Sequence, residues 1–337
     1  MIRVSFLCIT LGSTLATALA QSSAPTMNAI VVHEYGGPEV LKYEDGLRPE
    51  PKDDEILIRT MSAGVNPVDA AIRAGSFRTG QLPFIPGMDV AGVVEKVGAN
   101  VTKFKAGDAV YAYLSFQEQG GYAEFTIAKE NETALKPRGI SFEQAAAVPL
   151  AATTAWQALI DTAGLKAGQT VLIHGGSGGV GHFAIQIAKA RGAKVIATAS
   201  APNQDFLKQL GVDQPIDYTK TKFEDVVKNV DVVLEATRSD SMARSYGVVK
   251  KGGFIVSITG SPDQAQLDQH GLRGQSLMVH PEAKVLEELT KLIEAKKLTP
   301  MVSQVFPLTE AAKAQQQIET RHTRGKIVLK VADEPKK

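Results

Sequence analysis

Val171-Leu172-Ile173-His174-Gly175-Gly176-Ser177-Gly178-Gly179-Val180-Gly181 is an apolar strand running into a glycine loop, and His182-Phe183-Ala184-Ile185-Gln186-Ile187-Ala188-Lys189-Ala190-Arg191 continues it as a helix that stops at Gly192. Gly176, Gly178 and Gly181 stand in G-x-G-x-x-G order: the first for a tight turn, the second for close approach of a pyrophosphate to the backbone, the third for helix-on-strand packing. The glycines alone fit an ordinary surface loop as well. Context decides between the two, because Val180, Ala184, Ile187 and Ala188 follow i, i+4, i+7, i+8, and Lys194-Val195-Ile196-Ala197-Thr198-Ala199 supplies a second apolar strand. The complete strand–helix–strand unit predicts a dinucleotide whose phosphates meet the helix N-terminus, with Gly176, Ser177, Gly178, Gly179, Val180 and Gly181 in contact.

Working outward, strands and helices alternate C-terminal to this unit. Val171 to His174, Val195 to Ala199, Pro215 to Asp217, Val230 to Glu235, Phe254 to Ile258 and Ser276 to Val279 make six strand candidates, the number for a doubly wound parallel sheet. A helix is expected from Pro281 to Lys297, and a last strand at Lys326 to Lys330, in a tail expected to return to the N-terminal part. From Met27 the chain reads as short strands instead: Met27 to His33, Glu55 to Met61, Val90 to Val97, Ala109 to Leu114 and Tyr122 to Ala128, separated by turns such as Ala106-Gly107-Asp108. The fold class is therefore α/β, a partly open β-barrel plus a six-stranded Rossmann sheet. The expected division is a catalytic domain at 27–148 completed by 298–333, and a nucleotide domain at 149–297.

The 337 residues are 44% hydrophobic, enough for two cores, and carry 37 Lys plus Arg against 36 Asp plus Glu without a basic block. Nucleic acid is not an expected partner. Residues 1–20 read as a secretory signal peptide: Arg3, an apolar run from Val4 to Leu15 too short and polar to span a bilayer, then Ala18-Leu19-Ala20 before Gln21. The competing reading starts the protein at Met27. The expected location is outside the cytoplasm if the leader is used and cytoplasmic otherwise, with no membrane span. The one cysteine, Cys8, lies in the leader, so the mature chain offers no thiolate metal site.

An NAD-specific fold places a carboxylate at the end of the second nucleotide-domain strand, on the ribose 2′-hydroxyl. This chain has Ala199-Ser200-Ala201-Pro202-Asn203 there, with no carboxylate before Asp205. A 2′-phosphate is not repelled, and Ser200 and Asn203 can donate to it, which favours NADP(H). No Arg or Lys sits in the turn, so either the charge partner comes from elsewhere or specificity is loose. Ser200 and Asn203 also suit an ordinary turn. Tyr218 suits either adenosine contact or a half-buried sheet end.

Ala167-Gly168-Gln169-Thr170-Val171-Leu172 through Gly181 to Gln186 and Lys189 resembles the quinone oxidoreductase (zeta-crystallin) signature of the medium-chain dehydrogenase/reductase superfamily, except that Gly176 stands where the signature usually has Ala or Ser. The likeness covers nearly all of Met27 to Val331. It includes His33-Glu34-Tyr35-Gly36-Gly37-Pro38-Glu39-Val40-Leu41, Ala63-Gly64-Val65-Asn66-Pro67-Val68-Asp69, Pro86-Gly87-Met88-Asp89-Val90-Ala91-Gly92-Val93-Val94 and Arg324-Gly325-Lys326-Ile327-Val328-Leu329. In the superfamily's alcohol dehydrogenase branch the positions of Asn66 and Met88 carry Cys and His zinc ligands. An amide and a thioether do not replace them, so no metal is expected. His33, His174, His182, His270, His280 and His322 show no ligand spacing and read as structural or exposed.

The resemblance implies hydride transfer from NADPH to a quinone or to the β-carbon of an α,β-unsaturated carbonyl, without zinc. It implies Asn66 and Asp69 beside the nicotinamide, Asn66 on an acceptor oxygen and Asp69 on a ribose hydroxyl. A turn-stabilising role around Pro67 is the alternative for both. Thr154, Ile258, Thr259 and Gly260 hold the nicotinamide end by the same resemblance. No side chain stands out as proton donor, and water can serve. Other readings are a non-catalytic NADPH-binding or structural protein and a 2-enoyl thioester reductase on the same scaffold. The acceptor is not legible, because variable loops at Gly75 to Phe84 and Ser261 to Arg273 line the cleft. A homodimer is the family expectation, through Ser276 to Val279.

Overall fold

The computed structural model describes residues 25–78, 81–118 and 120–334. The signal-peptide reading of residues 1–20, with Cys8, lies outside the described residues.

The N-terminal half is β-rich. A hairpin pairs β1 (Thr26–Val32) with β2 (Leu41–Leu47). Next come β3 (Glu55–Val65), β4 (Asp89–Val97), β5 (Ala109–Tyr113), β6 (Phe125–Lys129) and β7 (Thr133–Leu135). The nucleotide-domain strands are β8 (Thr170–Ile173), β9 (Lys194–Ala199), β10 (Gln214–Asp217), β11 (Val230–Glu235), β12 (Val249–Ser257) and β13 (Arg273–Ser276), and the tail adds β14 (Val302–Pro307) and β15 (Lys326–Lys330).

The second group forms a six-stranded sheet in the order β10-β9-β8-β11-β12-β13, every neighbour parallel. Helices cover both faces of such a sheet, so its strands are apolar on both sides. Val171, Leu172 and Ile173 have no solvent exposure. The order reverses between β8 and β11, which leaves a crevice at their carboxyl ends.

The first group joins the tail in a seven-stranded sheet, β14-β15-β3-β4-β5-β7, with β6 also on β3. The hairpin is tied to this sheet by bridges Ala29–Ala123 and Val32–Phe84. This is the partly open β-barrel half of the expected fold. The tail returns as expected: β15 runs antiparallel to β3, with Ile327 opposite Val65.

Three expectations shift. The last sheet strand is Arg273–Ser276, not Ser276 to Val279; the apolar run Leu277 to Val279 leaves the sheet and carries Met278 at 80% exposure. The expected helix Pro281 to Lys297 is shorter, Ala283–Glu294, because Lys296 takes a left-handed φ of 57°. Leu41–Leu47 and Val302–Pro307 are strands that periodicity did not mark. In β2 most of Leu-Lys-Tyr-Glu-Asp-Gly-Leu faces solvent, and its pairing with β1 supplies what its apolar content does not.

Candidate active site

The glycine loop begins where β8 ends. Gly175 adopts φ +72°, a region that favours glycine, so the tight turn assigned to Gly176 belongs to Gly175. Gly176 serves packing: a Cβ there would lie 2.9 Å from Ala197 Cβ and 3.0 Å from Leu207 Cδ2. Its amide donates to Thr198 O over 2.9 Å, tying the loop to β9. Gly181 opens the ten-residue helix Gly181–Ala190, and a Cβ on it would stand 2.1 Å from Gly175 O. Helix and strand approach this closely only with glycine at 181. The amides of Ser177, Gly179 and Val180 donate to no acceptor among the described residues. Unsatisfied N–H groups at the positive end of a helix form a cradle for an anion, and the arrangement fits the pyrophosphate of a dinucleotide.

Beyond β9 lies the turn suspected of discriminating the 2′-position. Asn203 Nδ2 donates to Ser200 Oγ over 3.2 Å, and Tyr218, 57% exposed, stands just past the neighbouring β10. Sequence reading found no basic residue here. The structure brings one from the far end of the chain: Arg324 Nε donates to Asn203 Oδ1 over 2.7 Å and Nη2 to Pro202 O over 3.0 Å, with the guanidinium 5.5 Å from the Phe206 ring centroid. Nothing local to the turn announces Arg324. Its only sequence signal is its place in Arg324-Gly325-Lys326, and Gly325 N donates to Ser177 O over 2.9 Å.

At the other end of the crevice, Ile258, Thr259 and Gly260 follow β12; Ile258 N donates to Glu235 O and Thr259 N to Ser257 Oγ. Thr154 is buried in the helix Pro149–Trp156, and its hydroxyl donates back to Leu150 O over 2.7 Å.

Asn66 ends β3's extension and precedes the helix Pro67–Arg73, with Pro67 at the first helical position, where a missing N–H costs nothing. Asp69 Oδ2 accepts the Asn66 amide over 2.8 Å and the Tyr122 hydroxyl over 3.1 Å. Asp69 therefore anchors the helix start, the turn role weighed as its alternative, while its other oxygen, Oδ1, is buried without a partner among the described residues. The Asn66 side chain turns away from the cap. Its Nδ2 donates to Asp89 Oδ2 over 3.0 Å, and its Oδ1 accepts from Lys326 Nζ. Lys326 also donates to Val65 O over 3.2 Å and lies 3.4 Å from Asp89 Oδ2; Asp89 Oδ1 accepts Leu150 N over 2.7 Å.

Asn66, Asp69, Asp89 and Lys326 are all at or below 2% exposure. Two carboxylates and one ammonium thus share a buried site, where charge is costly unless paired. Burial raises Asp69 to about 7, the Asn66 N–H opposes the rise, the Asp89 charge adds to it, and Lys326 and the Tyr122 hydroxyl oppose it. Burial also raises Asp89, against Lys326 and the donors from Asn66 and Leu150.

Met88 is fully buried and packs with Ile72 and Tyr113. Among the described residues no group of three or more His, Cys, Asp or Glu could hold a metal ion. The histidines sit elsewhere. His174 lies between Thr198 and Ser245, and burial lowers it to about 3. His182 bonds Gly178 O and accepts Met301 N, and burial lowers it to about 4. His33 is exposed and pairs with Glu44. No helix among the described residues is long and apolar enough to cross a membrane.

A parallel six-stranded sheet with a glycine-loop anion cradle, joined to a β-rich half, defines a nucleotide-dependent dehydrogenase or reductase class. Residues 52–138 match the alcohol dehydrogenase GroES-like domain, and residues 210–329 match a family described as zinc-binding dehydrogenase. The chain is 41% identical over 324 residues to an NADPH-dependent alkenal/one oxidoreductase, chloroplastic, of Arabidopsis thaliana, covering 92% of this chain and 81% of that protein. It is 36% identical over 323 residues to the quinone oxidoreductase of Sus scrofa, covering 90% and 97%. Among solved structures, the quinone oxidoreductase of Coxiella burnetii aligns with a TM-score of 0.85 at 36% identity over 91% of this chain and 100% of that one. The quinone oxidoreductase of Escherichia coli complexed with NADPH aligns with a TM-score of 0.82 at 30% identity over 90% and 100%. The chain belongs to the quinone oxidoreductase branch of the medium-chain dehydrogenase/reductase superfamily.

Proposed function

We propose that the protein is an NADPH-dependent oxidoreductase that reduces a quinone or an α,β-unsaturated carbonyl without a metal ion. The observation that carries the reading is the cradle of Ser177, Gly179 and Val180 amides, unpaired among the described residues, at a helix start and at the switch point of the sheet. When bound, the reduced nicotinamide supplies a hydride.

In this reading the loop from Gly176 to Gly181 holds the pyrophosphate. Ser200, Asn203 and Arg324 hold the 2′-phosphate, with Tyr218 at the adenosine, which gives NADP(H) over NAD(H) a positive charge to meet. Thr154 and the backbone from Ile258 to Gly260 line the nicotinamide side. Asn66 donates to the acceptor oxygen, and Asp69 fixes the helix that starts beside it. An electron-poor acceptor needs little acid assistance, so alignment and water exclusion are the chain's main contributions, and the proton comes from water. Asn66 and Met88 in place of thiolate and imidazole support zinc-independent chemistry.

The reading divides the chain into a catalytic domain at 27–148 completed by 298–333 and a nucleotide domain at 149–297. A homodimer through the exposed edge around Ser276 to Val279 and export with a mature N-terminus at Gln21 complete the proposal. Size measurement in solution and mass spectrometry of the secreted chain test those two points.

The functional test is absorbance-monitored NADPH oxidation with a small quinone, an alkenal and an enoyl thioester. Oxidation with the quinone or the alkenal is expected. Reaction with the thioester alone makes it an enoyl reductase, and no reaction with any acceptor makes it a non-catalytic NADPH-binding protein; either outcome overturns the reading.

A further inference from the structure

Among the described residues Lys326 is the one cation in the buried cluster around Asn66, and pairing with Asp89 alone does not account for its geometry. Its ammonium has three donors and finds three oxygens: Asn66 Oδ1, Val65 O and Asp89 Oδ2. The Asp89 oxygen is the most distant of the three. A carboxamide held this way cannot flip, because the flipped amide would set its NH2 against the ammonium and its oxygen against the Asp89 carboxylate. One Nδ2 hydrogen is committed to Asp89 Oδ2. The second has no acceptor among the described residues.

We propose that Lys326 is a positioning residue for the acceptor: by holding Asn66 Oδ1 it locks the carboxamide with one N–H presented to the substrate oxygen, and its charge polarises that N–H. The proposal rests on the reductase reading and adds to it the origin of the donor. Polarisation follows because donors along a hydrogen-bonded chain strengthen one another in a low-dielectric site. The oxygen of an enone or quinone gains negative charge as hydride arrives, so a donor fixed in advance lowers the barrier more than it tightens ground-state binding. The backbone supports the placement. Lys326 N donates to Met301 O, and a Cβ built on Gly179 of the glycine loop would stand 3.4 Å from Lys326 Cδ, so the stem passes near the loop on its way to Asn66.

The test compares Lys326→Met, Lys326→Arg and Asn66→Ala with the Asn66→Ala/Lys326→Met pair, at saturating NADPH. Lys326→Met is expected to lower kcat on an enone by about tenfold or more, chiefly in kcat rather than KM, with partial recovery in Lys326→Arg. In the Asn66→Ala background the same change is expected to cost less than about twofold, because a residue acting through Asn66 has nothing left to act on. Where Lys326→Met does not fold because Asp89 is left uncompensated, Asp89→Asn/Lys326→Met carries the comparison with one charge of each sign removed.

A readout without turnover accompanies it: the infrared carbonyl band of a saturated ketone bound beside oxidised cofactor. Wild type is expected to shift the band to lower frequency, and both Lys326→Met and Asn66→Ala to lose the shift. Equal losses of kcat in the two backgrounds, or a ketone band in Lys326→Met that matches wild type, would overturn the proposal.

Discussion

Arg324 Nε donates to Asn203 Oδ1 over 2.7 Å across 121 positions of sequence, so the turn after β9 acquires its positive charge from the tail of the chain. Arg324 is exposed, so its guanidinium, held by Asn203 and Pro202, can also meet a solvent-facing phosphate. Arg324→Gln is expected to weaken NADPH binding by about tenfold or more, the usual worth of a charge-assisted bond, and to leave NADH binding nearly unchanged. Titration of both cofactors checks it. Equal losses for both would remove Arg324 from 2′-phosphate recognition.

Gly181 touches the Gly175 carbonyl closely enough that any side chain collides with backbone, which cannot rotate aside. Gly181→Ala is expected to cost about 1–3 kcal/mol of stability and to abolish NADPH binding, because the helix start must withdraw from the loop. Thermal unfolding with and without NADPH reads both effects. A variant still stabilised by NADPH as wild type is would show that the loop does not set the cradle.

Asn66 and Met88 offer neither thiolate nor imidazole, and Met88 is buried among Ile72 and Tyr113. Extended dialysis against a strong chelator is therefore expected to leave the reductase activity unchanged, and added zinc to restore nothing. Loss on chelation with recovery on zinc would contradict the metal-free account.

Asp69 is raised to about 7 from 3.8. The folded state thus binds its proton more tightly than the unfolded chain, so this contribution to stability is complete below about pH 3.8 and is lost as pH rises through 7. Against Asp69→Asn, which cannot titrate, wild type is expected to lose stability by up to roughly 1 kcal/mol per pH unit across that window and then level off. Denaturant midpoints of the two proteins at several pH values measure it. A difference independent of pH would mean Asp69 is ionised throughout.

The nucleotide half was legible because its physics is local. Val171 to Ile173 are apolar on both faces, Gly181 has a steric reason to be glycine, and Val180, Ala184, Ile187 and Ala188 carry a helical period. The turn at Gly175 was misassigned by one residue, since the motif spacing does not say which of two adjacent glycines takes positive φ. What the sequence hid was brought together by tertiary structure. Arg324 reaches Asn203, and Lys326 reaches Asn66 across 260 positions, through the pairing of β15 with β3. β2 hid for the related reason that a solvent-facing strand has little apolar alternation to show. Asn66 and Asp69 were named from resemblance, but the structure separates their settings: Asp69 on the helix start, Asn66 on Lys326 and Asp89.

The central claim, metal-free hydride transfer from a nicotinamide held by the glycine loop, is tested most directly with NADPH carrying deuterium at the transferred C4 position and an alkenal acceptor, using chelator-treated protein. Mass and NMR spectra of the saturated product are expected to place one deuterium on the β-carbon. A product without deuterium at that carbon, or no product until a metal ion is added, would contradict the account.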